Sequence, residues 1–501
     1  MLHAVFLRVR RLDFLLLLGV LLAILGAKFV LIRAYGSDLP FWDQWDGEGD
    51  ALFIHAGRSQ LTPATFFQPH NEHRIVFTKL LSFALEKLDG QWDARLEMTA
   101  NAFVHLAAIT TLLLALRSAV RPVSWRVGCF VACVLFALPF AWENTLGGFQ
   151  SQFYFLELFS ILHLAGTFRA ERPAPLWAAQ LAGVCAVFAM GSGFFSALAI
   201  VLVIGLQAMR ERTLPRKNAA LLVVNIGIVA LGALLHTHNP TQDSFHVQNV
   251  AQFVSALAAI LAWPSSVLSL CWLGLIPLLV VVVFRLRSNA SLREHGWFTA
   301  LIAWWALQVL ATVIARGNAM VLSSRYFDLF SIGVVAMAIA WVECLNAPRL
   351  RKSARAIFAF LGLVWLAIGI SGAKAQWTLT GEMYLNQMPQ LNDQRETIVR
   401  DFVEHGGSRL LDAKPFDELP YPNADRLAYL LSEPAITSIL PPSVRLQTGL
   451  AREQPPIRQI AEGVLISGWS LLLIGLALQL GALAALGSQK LQSLRARSPA
   501  P

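Results

Sequence analysis

The chain has 501 residues, is 56% hydrophobic and only 14% charged, with a mean hydropathy of +0.56. Soluble proteins carry about a quarter charged residues, so a water-soluble globular protein is excluded. Recurring apolar runs of membrane-crossing length instead predict an all-α polytopic membrane protein.

The net charge of +9 does not imply a nucleic-acid partner. The cations stand in short clusters between apolar runs: Arg8, Arg10 and Arg11; Arg117, Arg121 and Arg126; Arg169 and Arg172; Arg210, Arg212, Arg216 and Lys217; Arg285, Arg287 and Arg293; Arg349, Arg351, Lys352 and Arg355; Lys490, Arg495 and Arg497. This is the positive-inside pattern, in which charge sets topology. Cys129, Cys133, Cys185, Cys271 and Cys344 all lie in apolar runs, so no disulfide framework is expected.

A basic start followed by the apolar stretch Leu12 to about Ile32, with no small-residue cleavage site after it, reads as an uncleaved first helix. It exits outward near Ala34 into a loop over residues 35–95 that is polar, aromatic and acidic. Within that loop, residues 74–88 repeat apolar side chains with helical period (Ile75, Leu80, Leu81, Leu85, Leu88) and predict a helix lying along the membrane. Phe41, Trp42, Trp45, Phe66 and Phe67 fit the headgroup level. Spans follow at 98–116, 125–142 and 153–168, with the short outer loop ENTLGGFQSQ between the last two. The stretch 176–208 lies between two basic clusters, so it divides at Met190–Gly193 into two short spans. Further spans fall at 219–235, 267–284, 297–315, 329–345 and 354–372, with a half-inserted helix at 250–263 stopped by Pro264. Residues 373–462 are polar and proline-containing and predict a small outer cap, helical near 392–405 and 425–432. A last span at 463–486 returns the chain inside. The prediction is about twelve transmembrane helices with both termini cytoplasmic. A membrane module (1–372), a cap (373–462) and a last span with its tail (463–501) make up the chain.

The polar residues of the outer loops carry the candidate chemistry. Asp43 and Asp46, in WDQWD, stand three apart and can share a helical face. A carboxylate there can take a proton from an attacking hydroxyl. Glu48 and Asp50 follow as weaker candidates. His70, Glu72, His73 and Arg74, in HNEHR, suit acid/base work, phosphate contact or, with Asp43 or Asp46, a divalent metal. HNEH lacks the HExxH zinc spacing, so no metal ligand is assigned and no cofactor is expected. Glu143 follows the third span, with Asn144, Gln150 and Gln152 nearby. An acid at the membrane edge is costly without a partner, which predicts an Arg or Lys from another outer loop. Arg325 in SSRY, beside Tyr326, is an outward cation able to grip phosphate through its planar fork. Arg316 shares that loop. Lys28 and Arg33 read as snorkelling cations, and His236, His238 and His246 as loop residues. The sequence contains no Gly-rich phosphate loop, GxSxG or dinucleotide fingerprint, and its inner loops are too short for a nucleotide-binding domain.

An acidic motif after the first span, interfacial helices in that loop, a second acid after the third span and a late outer region together resemble the GT-C membrane glycosyltransferases. That superfamily includes the protein mannosyltransferases and the lipid A aminoarabinose transferase. The strings WDQWD, HNEHRI, ENTLGGFQSQF and SSRY also look like those of uncharacterised bacterial proteins near it. DQWD stands where the mannosyltransferases have an adjacent Asp-Glu, and HNEHR has no counterpart there. The resemblance implies an inverting transfer of a sugar from a polyprenyl-phosphate donor to a lipid, glycan or protein acceptor on the outer face of a bacterial inner membrane. Asp43 or Asp46 would match the first-loop acid, Glu143 the second, and Arg325 a residue contacting the donor phosphate, with no nucleotide sugar needed. Two other readings stand beside it. One is a transporter or flippase, which would show internal repeats and midplane charges. The other is a polysaccharide polymerase or O-antigen ligase, with its key cations in a large late loop.

Overall fold

A computed structural model describes residues 2–287, 292–319, 322–348, 350–407, 411, 414–415, 418–445 and 454–495, with side chains for all of these except 2–10, 293–295 and 490–495. The side chains of Arg8, Arg10, Arg293, Arg349, Lys490, Arg495 and Arg497, assigned above to basic clusters, lie outside the described residues.

Every predicted span coincides with a helix. They are α1 (Leu2–Tyr35), then, after a π-helix (Trp45–Ile54) and the interfacial α2 (Val76–Asp89), α3 (Ala94–Ala119) and α4 (Pro122–Ala137). A single turn, α5 (Trp142–Thr145), leads into α6 (Ser151–Arg169), α7 (Pro173–Ala189), α8 (Phe195–Glu211) and α9 (Arg216–Leu235). Then come α10 (Val250–Ala262), α11 (Trp272–Arg287), α12 (Leu292–Arg316), α13 (Phe327–Leu345) and α14 (Lys352–Met383). The cap holds α15 (Met388–His405) and α16 (Ala424–Ser432), followed by α17 (Pro456–Ile466) and α18 (Gly468–Arg495).

Among the described residues, nine helical segments are long and apolar enough to cross a membrane. The chain is a multi-pass helical membrane protein. Three of the twelve predicted spans fall short of that measure. α7 and α8 have only 17 residues each, about 25 Å of helix, and α6 carries Gln152, Glu157 and His163. Among the described residues, the only β-type pairing is an isolated bridge between His70 and His73.

The first and last spans lie against each other at backbone contact. A Cβ on Gly26 would sit 2.3 Å from the Leu472 nitrogen, and one on Gly475 would sit 2.4 Å from the Ala23 nitrogen. Small residues are what permit such close packing between helices in lipid. Apolar side chains such as Leu363 and Ile370 of α14 and Leu473 and Leu480 of α18 face outward. An outward apolar surface is stable in hydrocarbon and costly in water.

The basic clusters gather at one end of the bundle. There Asp13 accepts from Arg117 (3.0 Å) and Arg126 (2.9 Å), and Arg285 donates to the Ala119 carbonyl (2.7 Å). The first loop and the cap occupy the opposite end, called here the cap face.

The loop and the cap do not fold separately. Trp45, Leu52, Phe53, Ile54 and Trp92 of the loop form one buried cluster with Val399, Phe402, Leu427, Leu430 and Ile436 of the cap. This corrects the expectation that Trp45 sits at the headgroup level. It is fully buried, edge-on to Trp92 at 5.3 Å, and its Nε1 donates to the Pro40 carbonyl. The expected cap boundary at residue 373 is also not a break, because α14 continues to Met383. α2 forms as predicted and ends at Gly90, whose φ of 72° gives the left-handed cap that glycine favours. Leu80 and Leu88 are exposed beside Lys87, while the buried face mixes Thr78, Lys79, Ser82 and Glu86 with Val76 and Leu85; outward leucines beside a lysine suit a helix lying on lipid.

Candidate functional site

At the cap face, three loops distant in sequence converge where α1 ends. α1 unwinds after Tyr35, and Asn392 of α15 donates to the Tyr35 carbonyl (2.9 Å), seating the cap helix on the end of α1. The chain then turns through Trp42, whose φ is +51° and whose N–H donates to the Pro420 carbonyl (2.8 Å). A left-handed conformation in a bulky residue is strained, and such strain concentrates at functional sites. The turn presents Asp43.

Glu143 sits on α5, facing the start of α13. One of its carboxylate oxygens accepts from Ser323 Oγ (2.6 Å), Ser324 Oγ (2.9 Å) and the Arg325 N–H (3.1 Å). Its other oxygen lies 3.5 Å from Arg325 Nη2. Arg325 Nη1 is 3.7 Å from Asp43 Oδ2, and its Nε donates to Ser323 Oγ (2.8 Å). A single guanidinium thus bridges the first-loop and second-loop acids. The partner that burial at the membrane edge required of Glu143 is Arg325.

These residues line a cavity of about 190 Å3 together with Gln150, Arg395, Phe41, Trp42, Trp142, Phe149, Met98 and Met388. Trp142 is stacked on Tyr384 (5.1 Å between ring centroids). Arg395 is nine-tenths buried and lies over the Phe41 ring at 4.4 Å. The cavity therefore offers two guanidinium groups and two carboxylates inside aromatic and thioether walls. Such a site suits a ligand with an anionic, polar head and an apolar extension.

The remaining predicted residues stand elsewhere. Asp46 does not reach the cavity. It accepts from Tyr421 OH (2.5 Å) and from Arg426 Nε and Nη2 (3.1 and 3.0 Å), and Asp50 accepts from the same guanidinium (2.7 Å). Both acids tie the π-helix to the cap. Glu48 is fully buried, accepting from Trp92 Nε1 (2.9 Å) and Gln44 Nε2 (3.2 Å). Burial pushes its carboxyl up to about 7 against those hydrogen bonds.

The HNEHR segment is a tight hairpin, closed by reciprocal backbone bonds between His70 and His73 (2.8 and 2.9 Å). It docks on the ends of other helices. Thr237 Oγ1 donates to the Asn71 carbonyl (3.0 Å), and Gly191 N–H donates to His73 Nδ1 (3.3 Å). Arg74 donates to the carbonyls of Phe67 (2.6 Å) and Leu235 (3.4 Å), and Glu72 lies 3.8 Å from His246. Of this segment only His70 approaches the cavity, its ring edge-on to Phe149 at 5.0 Å. Burial lowers the His70 pKa although Asp43 and Asp46 oppose the shift. Enclosure lowers that of His73 to about 4, so its imidazole is neutral near pH 7 and free to accept from Gly191. Tyr326 also turns away from the cavity, accepting from Arg316 Nε (3.0 Å).

Among the described residues no three His, Cys, Asp or Glu side chains converge as metal ligands. Lys28 does not snorkel. It is buried, donating to Thr145 Oγ1 (3.1 Å) and Tyr154 OH (3.3 Å).

The charged cavity residue not singled out from the sequence is Arg395; it stands one turn beyond Asn392 on α15, and both line the cavity.

No protein-family model and no curated protein matches the chain significantly.

Proposed function

We propose that the chain is a membrane glycosyltransferase that takes a sugar from a polyprenyl-phosphate donor at the cap-face cavity, on the outer side of a bacterial inner membrane. The reading includes twelve crossings with both termini cytoplasmic. The observation that carries it is the bridging of Asp43 and Glu143 by Arg325 inside an amphipathic cavity.

In this reading the acceptor hydroxyl attacks the anomeric carbon. Its oxygen bonds to that carbon as the carbon–oxygen bond to the lipid phosphate breaks. Asp43 takes the hydroxyl proton. Arg325, with Arg395 across the cavity, neutralises the charge that builds on the departing phosphate. Glu143 fixes Arg325 through its side chain and its backbone N–H. Asp46 belongs to the cap contact rather than to the chemistry.

The test is incubation of membranes with polyprenyl-phosphate sugars, comparing wild type with Asp43→Asn and Glu143→Gln. Transfer lost in both variants is expected. Full activity in both removes the assignment.

The transporter reading keeps one supporting observation, the ionisable group of Lys28, His105, Glu157 and Asp328 buried inside the bundle. Intramembrane charges of this kind mark transport pathways in many proteins. Substrate-dependent flux through proteoliposomes in the absence of any sugar transfer would favour that reading.

A further inference from the structure

Next to the cavity-lining turn at Glu143, a ring of hydrogen bonds, one aromatic stack and two longer imidazole–carboxylate approaches joins α1, α3, α5, α6 and α13. Lys28 donates to Thr145 and Tyr154 (3.1 and 3.3 Å). The Tyr154 ring stacks on His105 at 4.1 Å with an interplanar angle of 11°. His105 Nε2 lies 3.5 Å from Glu157 and 3.9 Å from Asp328. Asp328 accepts from Asn144 Nδ2 (2.8 Å), and Asn144 is the neighbour of Thr145, where the ring began. Lys28, Asn144, His105, Glu157 and Asp328 are all at most 5% exposed.

Such a group is expensive in an apolar bundle. Removing one partner from a buried ionic network costs more than exchanging the whole network for apolar residues. Bundle stability alone is therefore a poor reason for its presence. Its position supplies a better one. The side chains at 143 and 144 diverge from a helix of only four residues, too short to hold its own conformation. Glu143 meets Ser323, Ser324 and Arg325, while Asn144 and Thr145 enter the ring.

Asn144 Nδ2 also donates to the Arg325 carbonyl (2.8 Å). One amide thus ties the carbonyl of the cavity cation to the first turn of α13. Arg325 is held on both sides of its backbone, its N–H by Glu143 and its carbonyl by Asn144.

We propose that this ring is the positioning frame of the cavity beside it, and that Lys28, Asn144 and Asp328 act by fixing where Glu143 and Arg325 stand. The proposal rests on reading Asp43, Glu143 and Arg325 as the working part of the site. None of the three frame residues touches the cavity. They set its geometry through α5 and through the turn at Ser324–Tyr326.

The experiment uses the full chain in lipid nanodiscs and compares wild type with Asn144→Leu and with the charge-neutral double variant Lys28→Met/Asp328→Asn. Amide exchange is followed across the chain, and kcat and KM for a polyprenyl-phosphate sugar are measured separately. The frame predicts exchange at least about tenfold faster in residues 141–147 and 323–328 with the other helices unchanged, the scale of losing one buried charge-assisted hydrogen bond. It also predicts a fall in kcat with donor KM within about twofold. The double variant removes one cation and one anion together, leaving Glu157 beside His105, and decides the matter if Asn144→Leu does not fold.

Unchanged exchange in both segments overturns the proposal, as does acceleration spread evenly over α1, α3, α6 and α13. Failure of both variants to fold also overturns it, because the ring is then a purely structural support. Exchange needs no substrate, so absence of transfer in wild type rejects the glycosyltransferase reading while the exchange data still judge the frame.

Discussion

Asp43 and Asp46 are three residues apart and chemically identical, yet their surroundings assign them opposite fates on substitution by Asn. Asp43 faces the cavity. Among the described residues its one ion pair, to Arg325, is 3.7 Å long, and its side chain is 33% exposed. Half-exposed pairs of that length contribute under about 1 kcal/mol, so Asp43→Asn leaves folding nearly untouched. In the proposed transfer it is the proton acceptor, a role an amide cannot take, so the rate is expected to fall by about 10²- to 10⁴-fold. Asp46 holds Tyr421 and both nitrogens of the Arg426 fork. Asn keeps the shape and one acceptor but loses the charge, while Asp50 still binds Arg426. The loss is about 1 kcal/mol of cap attachment, and the rate stays within about threefold of wild type. The assay is transfer from radiolabelled polyprenyl-phosphate sugar by purified protein in nanodiscs, with limited proteolysis reporting whether the cap stays docked. Two results refute the reasoning: wild-type rate in Asp43→Asn, or equal inactivation by Asp46→Asn while the cap remains protease-resistant.

Arg426→Ala leaves Asp46 and Asp50 facing each other without a cation. It is expected to loosen the cap by about 1 to 2 kcal/mol, measured as faster proteolysis around residues 418–445. Glu48 makes stability fall with rising pH. Its folded pKa, about 7, lies above the ordinary 4.5, so the folded state holds a proton that the unfolded chain has released. The resulting stabilisation is complete below the ordinary value and lost as pH climbs through about 7, amounting to at most about 3 kcal/mol. Glu48→Gln should flatten the curve of thermal midpoint against pH over that window, and an unchanged curve would contradict the assignment. Gly47→Ala places a methyl 2.4 Å from the Phe149 ring. The displaced ring should crowd the cavity and cost about 1 to 3 kcal/mol, read as a raised donor KM and a lowered thermal midpoint.

Hydropathy and charge alone locate every long helix, because a lipid environment penalises polar side chains along whole segments. The acid–cation pairing of Glu143 was legible for the same reason: an acid at the membrane edge demands a partner, and Arg325 was an outward cation against the charge bias. The roles of Asp46 and Asp50 were not legible. Their partner, Arg426, is about 380 residues away, and nothing local distinguishes a cap contact from a solvated acid. Lys28 was misjudged because one apolar helix looks the same whether it faces lipid or other helices. Only packing shows that Lys28 points at Thr145 and Tyr154. HNEHR has the composition of a catalytic cluster, yet the backbone bonds of a hairpin occupy it. A string of residue types does not reveal which main-chain groups will close on each other.

The core shared by the first loop and the cap has a consequence for biosynthesis. Trp45, Leu52, Phe53 and Trp92 leave the ribosome early, but their partners extend to Val444. At ordinary elongation rates that gap lasts roughly 20 to 70 s. Throughout it, four large apolar side chains stand at the membrane surface without their native covering. The nascent loop must rest on lipid, or be held by another protein, until α15 and α16 arrive. A chain terminated shortly before the cap would therefore insert most of its helices and still present an unfinished, aggregation-prone loop. The cavity is begun by the first helix and completed almost last.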